Sequence, residues 1–267
     1  MRIQNLIPIF ISCLLVSVPL NAQQSAPTAP RDPQAVTLLQ RSLAALVGTT
    51  TVSDVTLTGT ANWFAGSDNE TGTATLKATA IGQSRIDLNL SNGQRSEIRD
   101  ISAAPPTGSW SGPNGTFHPM AAHNLFTDPA WFFPAFLMSR VLSNPRYAVM
   151  PADEETKEDF AVEHITVYEK VTHASRSASL TERLSRTDIY LNASTLIPVA
   201  VSFDMHADND ALISIPTEIR FSNYLDTQGI SVPHRIQKYV DNGLVLDLVL
   251  QTVQFNSGLV ASEFTAR

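Results

Sequence analysis

The alternation of apolar and polar residues predicts one helix near the start of the chain and mostly strands after it. Apolar side chains recur at three- and four-residue spacings between Pro33 and Gly48, so they form one stripe of an amphipathic helix. Asp32 can cap this helix, Pro33 suits its first position and Gly48 can end it. The stripe must therefore lie against an apolar surface of the folded chain.

Period-two alternation dominates the rest of the chain and indicates antiparallel sheet. In Asp54–Ala65, apolar residues such as Leu57 and Trp63 alternate with threonines and an asparagine. Asn92-Gly93 predicts a two-residue hairpin loop, since both central residues of such a turn need positive φ. Further strands are predicted at Thr71–Ala80, Arg85–Leu90, Gln94–Ile101, Phe160–Val171, Thr187–Leu191, Pro198–Met205, Thr217–Tyr224, Ile230–Val240 and Leu244–Phe255.

The segment Leu125–Leu142 is rich in aromatic and aliphatic side chains that do not stay on one helical face. Asp128 and Pro129 predict the start of a helix, which Pro134 should kink or split because proline lacks the amide donor. A helix that is apolar all round is buried or contacts lipid. A core helix is the simpler interpretation, and a lid over a ligand cavity is the functional one; both can hold together. The candidate ligand-contacting residues are Trp63, Phe126, Trp131, Phe132, Phe133, Phe136 and Leu137.

Composition excludes several classes of protein. The 267 residues are 43% hydrophobic and carry a net charge of -7, which argues against both disorder and a nucleic-acid partner. A single cysteine, Cys13, excludes an internal disulfide. After residue 22 no apolar run reaches the roughly 20 residues that span a bilayer, so we do not expect an integral membrane protein once the signal is removed.

The first residues predict export. Met1–Ala22 has a positive start at Arg2, an apolar stretch at Leu6–Leu20 and a plausible cleavage site before Gln23, as a secretory signal peptide has. The alternative is an uncleaved membrane anchor, but the apolar stretch is short and no stop-transfer charges follow it. Residues 23–31 are expected to be a disordered leader, and residues 32–267 a single domain. We therefore expect a periplasmic or otherwise exported protein.

A series of motifs in the last third of the chain resembles the LolA-like superfamily, the periplasmic carriers of outer-membrane lipoproteins and their relatives. The resemblance covers the early helix with two strands and residues 187–264. The motifs are DIYLN at 188–192 running into LIP at 196–198, IPTEIRFSNY at 215–224, GISVPHRI at 229–236 and VQFN at 253–256, followed by Gly258, Leu259 and Phe264.

This resemblance implies an α+β fold with a strongly curved antiparallel sheet, an incomplete β-barrel. The N-terminal amphipathic helix and the central aromatic helical segment would cover its concave face. An apolar cavity between sheet and helices would receive acyl chains. The chain is longer than a typical carrier, and no arginine in it aligns with the lid-locking arginine of the carriers, so no functional residue is carried over.

The polar residues do not assemble into a catalytic or metal site. His118 and His123 are five residues apart, so they do not share a helix face, and no cysteine or carboxylate nearby completes a metal set. The run 204–210 has alternating acidic residues like a calcium loop, but it lacks the sixth-position glycine and the twelfth-position glutamate. We therefore predict no catalytic residues, no metal, no cofactor and no enzyme.

Two functional hypotheses remain. In the first, an exported envelope protein binds a lipid, a lipoprotein acyl chain or another apolar ligand in the half-barrel cavity, since each buried CH2 contributes about 0.8 kcal/mol. In the alternative, a non-carrier periplasmic scaffold or sensor with a collapsed interior binds an envelope protein partner through a sheet edge or helix face. The first predicts that Phe133→Asp or Phe136→Asp weakens ligand retention while the sheet stays folded.

Overall fold

The computed structural model describes residues 29–157, 159–171 and 176–267, so the predicted signal peptide and residues 23–28 of the leader lie outside the described residues. The helices are α1 (Pro33–Val47), α2 (Pro134–Ser143) and α3 (Arg176–Leu184). The strands are β1 (Asp54–Ala65), β2 (Asp68–Thr79), β3 (Gln83–Leu90), β4 (Gly93–Asp100), β5 (Thr107–Ser111), β6 (Phe117–Pro119), β7 (Tyr147–Val149), β8 (Asp153–Lys157), β9 (Phe160–Glu169), β10 (Thr187–Asn192), β11 (Pro198–Ala207), β12 (Asp210–Thr227), β13 (Ile230–Val240) and β14 (Gly243–Phe255).

All the strands of the described chain belong to one antiparallel sheet. Their order is β6-β5-β4-β3-β2-β1-β14-β13-β12-β11-β10-β9-β7, with β8 also paired to β9. The first strand pairs with the last, so the two halves of the chain join in the middle of the sheet. Within the described residues, the end strands β6 and β7 are not paired with each other, and the curved sheet stays an open half-barrel. The predicted α+β half-barrel fold is confirmed.

The first helix forms as its sequence predicts. The Asp32 side chain accepts a hydrogen bond from the Ala35 amide at 2.8 Å, Pro33 occupies the first turn and Gly48 ends the helix at φ 56°. Its apolar stripe is buried against α2 and β13. The helix therefore covers part of the concave face of the sheet, where the main apolar core lies.

The second helix begins five residues later than predicted, at Pro134 instead of Pro129. Asp128 accepts from the Ala130 amide at 2.7 Å within a turn, and the helix starts only at Pro134. Proline is tolerated at the first helical position, where its missing N–H has no intrahelical partner to lose. The helix prediction from Asp128 was therefore wrong in its start, because Pro134 begins the helix and does not interrupt it.

The hairpin predicted at Asn92-Gly93 is shifted by one residue. Leu90 pairs with Gly93, so the loop residues are Ser91 and Asn92. Of these four residues only Gly93 has a positive φ, at 129°. A Cβ at this position would lie 2.6 Å from the Pro113 carbonyl oxygen. Glycine is therefore needed here for a close backbone approach as well as for its φ.

Residues 29–31, assigned above to the disordered leader, pack on the body of the protein. The Val149 amide donates to the Pro30 carbonyl at 2.9 Å. The Arg31 guanidinium donates to the carbonyls of Val141 at 3.0 Å and Tyr147 at 3.1 Å. The last carbonyls of a helix lack intrahelical donors, and Arg31 supplies one to α2. The expected disorder was therefore wrong for these three residues.

The outer face of the sheet is also covered at one place. Ile98 of β4 is fully buried, yet it pairs with Arg85 and points away from the helices. The C-terminal turn Ala261–Phe264 contacts β3 and β4 there, and Arg85 donates to the Glu263 carbonyl at 3.3 Å. Successive side chains of a strand point to opposite faces of the sheet. Since Ile98 points to the outer face, the charged residues that alternate with it on β4 face the concave side.

Candidate functional site

An apolar cavity of about 310 Å³ lies inside the half-barrel, near the end where the β1–β2 and β13–β14 hairpins turn. All three tryptophans of the chain line it: Trp63, Trp110 and Trp131. The aliphatic part of its wall consists of Ile86, Leu88, Met205 and Leu246. We call this space the tryptophan cavity.

Strand register brings these side chains together. Trp63 of β1 is paired with Leu246 of β14, which is paired with Lys238 of β13. Directly paired residues of an antiparallel sheet point to the same face. The three residues therefore form one row across the concave side.

A second row forms in the same way on the other side of the cavity. Ile86 of β3 pairs with Glu97 of β4, which pairs with Trp110 of β5. Trp131 reaches the cavity from the turn before α2 and is 4% exposed. The site is thus built from two sheet rows and one loop.

The concave face of β4 carries two ion pairs. Arg95 contacts Glu70 at 2.5 Å, and Arg99 contacts Glu97 at 2.8 Å. The Arg99 guanidinium also donates to the Thr127 hydroxyl at 2.9 Å, which ties β4 to the loop before α2. Each pair is internally neutral, so the pairs can sit beside an apolar cavity without a further counter-ion.

Glu97 is held in its charged form. Burial raises the pKa of its carboxyl, but the charges of Arg99 and Lys238 and the polar contact with the Trp131 indole lower it more, so the net pKa lies below the usual value. The side chain is 22% exposed although it lies deep in the half-barrel, because the cavity reaches it. Glu97 therefore contributes a fixed negative charge to the cavity wall.

Lys238 differs from the other charged groups of the cavity. Within the described residues no carboxylate lies within ion-pair distance of its ammonium, which sits 5.2 Å from the centre of the Trp131 ring. Burial lowers the pKa of Lys238; the Glu97 charge opposes this effect and the Arg99 charge adds to it. Cation–π contact supports the ammonium only in part.

The rim of the cavity is aromatic and partly exposed. Trp110 is 37% exposed and stacks on His118, with ring centres 4.6 Å apart. The Arg95 guanidinium lies 5.4 Å from the centre of the Trp63 ring. Such half-exposed rings suit a mouth that contacts both solvent and an apolar ligand.

The structure brings together only two of the seven candidate residues, Trp63 and Trp131. Phe132, Phe133 and Leu137 are core residues, between 0% and 4% exposed. The two remaining candidates lie elsewhere: Phe136 packs beside α1 and is 3% exposed, and Phe126 lines a different space. The aromatic segment is thus core over most of its length and reaches the tryptophan cavity through Trp131.

The space beside Phe126 is larger, at about 430 Å³, but it differs in character. It lies among loops, and Arg146 and Glu169 line it. The Arg146 side chain is 63% exposed. This space therefore lies apart from the two concave-face rows of the sheet, whereas those rows line the tryptophan cavity.

Burial also changes how the first hypothesis can be tested. Phe133 is 1% exposed and its ring lies 4.8 Å from that of Phe136. An aspartate at either position would bury an unpaired charge. Phe133→Asp and Phe136→Asp would therefore report on folding, and ligand retention needs other variants.

His123 and the 204–210 run, which the sequence analysis considered as metal ligands, make contacts within the fold. His123 Nε2 lies 2.9 Å from the Ala207 carbonyl oxygen, and the Asn124 amide side chain bridges the backbone of His206. Burial lowers the pKa of His206.

No group of three or more metal-ligating side chains is found among the described residues. None of the helices described is long and apolar enough to cross a membrane.

Comparison with known proteins identifies the fold. No protein-family model matches the chain, and no curated protein matches its sequence. Three solved structures match with a TM-score of 0.52 each. One is a domain from Vibrio parahaemolyticus whose name assigns it to outer-membrane lipoprotein sorting; identity is 13%, over 86% of this chain and 96% of that one.

The second is a LolA superfamily protein from Nitrosomonas europaea, with 11% identity over 86% of this chain and 97% of that one. The third is a DUF1329 family protein from Desulfovibrio piger, with 13% identity over 89% and 98%. The chain therefore has a LolA-like fold, as the motifs in its last third predict. At this level of identity the likeness establishes the fold alone.

Proposed function

We propose that the protein is an exported binding protein that holds a lipid, an acyl chain or another apolar ligand in the tryptophan cavity. The observation that carries this proposal is the open, largely apolar space beside a tightly packed core. Its volume of about 310 Å³ falls within the usual range for ligand pockets, about 300–1,000 Å³. A space of this size suits one chain or a compact apolar molecule.

The energetics of such binding follow from burial. Each CH2 group removed from water contributes about 0.8 kcal/mol, so a medium-length chain gains useful affinity without directed polar contacts. Arg95 and Glu70 neutralise each other's charge, as do Arg99 and Glu97, so an apolar ligand need not bring a counter-charge for either pair. A flexible wall of Met205 and aliphatic side chains can adapt to different chains.

The scaffold alternative predicts a collapsed interior. Beneath α1 and α2 the interior is indeed filled, but the tryptophan cavity is open. That open space favours the ligand-binding proposal. The name of the Vibrio parahaemolyticus domain supports it too, and makes a lipoprotein acyl chain one ligand to examine.

A fluorescence titration with dodecanol tests this function. Because every tryptophan of the chain lines the cavity, entry of a neutral chain should shift intrinsic emission to shorter wavelength with saturation. Gly112→Phe should block the mouth. A Cβ there meets only the Asn114 Oδ1, at an ordinary contact distance of 3.8 Å, so the backbone at this position accepts a side chain.

The matched control is Thr116→Phe, which adds the same ring to an exposed position on the same loop, away from the cavity. We expect saturable binding in the native protein and in Thr116→Phe, and at least about tenfold weaker binding in Gly112→Phe. Equal binding by all three proteins, or no spectral shift in the native protein, would refute the proposal for this cavity.

A further inference from the structure

We infer that the ligand of the tryptophan cavity carries one negative charge, a carboxylate, that pairs with the Lys238 ammonium. This inference rests on the proposed function and narrows it to the class of single-chain carboxylate amphiphiles.

The cavity wall has one positive charge in excess. Arg95 is paired with Glu70 and Arg99 with Glu97, which leaves Lys238 without a counter-ion in ion-pair distance among the described residues. The charges that act most on Lys238 are those of Glu97 and Arg99, which already neutralise each other. A ligand with charge -1 would bring the net charge of the cavity wall and ligand together to zero.

The position of Lys238 makes such a contact useful. It shares a row of the sheet with Leu246 and Trp63, so its ammonium and the apolar wall face the same space. An ion pair formed inside a cavity lined mainly by apolar groups is stronger than one in water. The chain as a whole has a net charge of -7 and does not attract anions by its general field, so this local charge decides the preference.

The charge balance favours a carboxylate over a phosphate monoester. A phosphate monoester carries about -1.5 to -2 at neutral pH and would leave a buried negative charge uncompensated. A carboxylate carries one charge and matches one ammonium. A fatty acid presents this headgroup on a chain that the tryptophans and aliphatic residues can cover.

The experiment compares three probes of equal chain length: dodecanoate, dodecanol and dodecyl phosphate. Each is titrated into the native protein, Lys238→Met and Lys238→Arg at pH 7, with circular dichroism to verify folding. We expect the native protein to bind dodecanoate about tenfold more tightly than dodecanol, and more tightly than dodecyl phosphate. Lys238→Met should bring the ratio of dodecanoate to dodecanol affinity close to one, whereas Lys238→Arg should keep most of it.

The possible failures are distinguishable. If native protein binds dodecanoate and dodecanol equally, or if Lys238→Met keeps the native ratio, the inference is wrong while the apolar-ligand function stands. If dodecyl phosphate binds more tightly than dodecanoate, the inference of a carboxylate headgroup is wrong. If neither dodecanol nor dodecanoate binds, the proposed function fails together with the inference. The native ratio needs no variant, so it decides the matter even if a variant does not fold.

Discussion

The two ends of the half-barrel interior are filled in different ways. Along β1, Val55 and Leu57 are fully buried, whereas Trp63 lines the cavity. Along β13, Ile236 is fully buried and Lys238, two residues later, lines the cavity. The same strands therefore pass from a packed core into an open site.

The difference shows what closes the core. At the packed end, α1 and α2 supply side chains such as Leu39, Phe136 and Met138 that fill the space between helices and sheet. At the open end, three indole rings stand around a gap of about 310 Å³. Charged side chains occur on the concave face at the open end, because a cavity and paired partners keep them from being isolated in apolar surroundings.

The largest predicted effect is on stability at the packed end. Phe132 is fully buried, so Phe132→Ala should lower the free energy of unfolding by about 3–5 kcal/mol. Trp110 is 37% exposed at the open end, and Trp110→Ala should cost less than about 1 kcal/mol. Urea unfolding of both variants measures the contrast. Equal losses would show that the two ends do not differ in packing.

The second prediction concerns Arg31, whose guanidinium donates hydrogen bonds at the C-terminal end of α2, at the packed end. Arg31→Met removes charged hydrogen bonds to the Val141 and Tyr147 carbonyls and should lower the free energy of unfolding by about 1.5–3 kcal/mol. Arg31→Lys keeps the charge without the planar fork and should recover only part of the loss. Dodecanol affinity of the folded protein should stay native, since Arg31 does not line the cavity. A loss below about 0.5 kcal/mol in Arg31→Met would contradict this role.

The smallest predicted effect has the opposite sign and lies at the open end. Burial lowers the pKa of Lys238, so the folded state binds this proton less tightly than the unfolded chain does. Lys238→Met should therefore raise Tm, by about 2–4 °C for each kcal/mol relieved. The gain should be largest below the lowered pKa and shrink as pH rises towards the ordinary lysine value. Thermal scans at pH 6 and pH 9 test this, and a variant less stable than the native protein at pH 6 would refute it.

Sequence predicted α1 and several of the long strands closely, and it predicted the start of α2 and the turns less well. Asp54–Ala65 and Ile230–Val240 begin and end where the period-two pattern places them. The start of α2 differed because Pro134 can lie either inside a helical pattern or at its first position, and the local sequence does not say which. The hairpin at Gly93 shifted because contact with Pro113, distant in the pattern, fixes the glycine.

The site was harder to predict than the fold. Trp63 and Trp131 could be selected as aromatic candidates, but Trp110, Glu97 and Lys238 were missed. Charged residues that alternate with Ile98 on β4 have the pattern of a solvent-facing row, and their place in the cavity wall follows from the C-terminal turn, which covers Ile98 on the other face. Lys238 lies in the cavity wall because it is paired with Leu246 of β14, which is paired with Trp63 of β1. These are long-range facts of register, which the pattern of one strand does not contain.

Native mass spectrometry of the protein purified from the cells that make it tests most directly whether the tryptophan cavity is a ligand site. We predict a complex with one bound apolar molecule per chain, which organic extraction releases and identifies as a single-chain carboxylate amphiphile. Gly112→Phe should be recovered largely free of it, and Thr116→Phe loaded like the native protein. A native protein that is recovered at its apo mass, and that takes up neither dodecanoate nor dodecanol when these are added, would show that the cavity is not a ligand site.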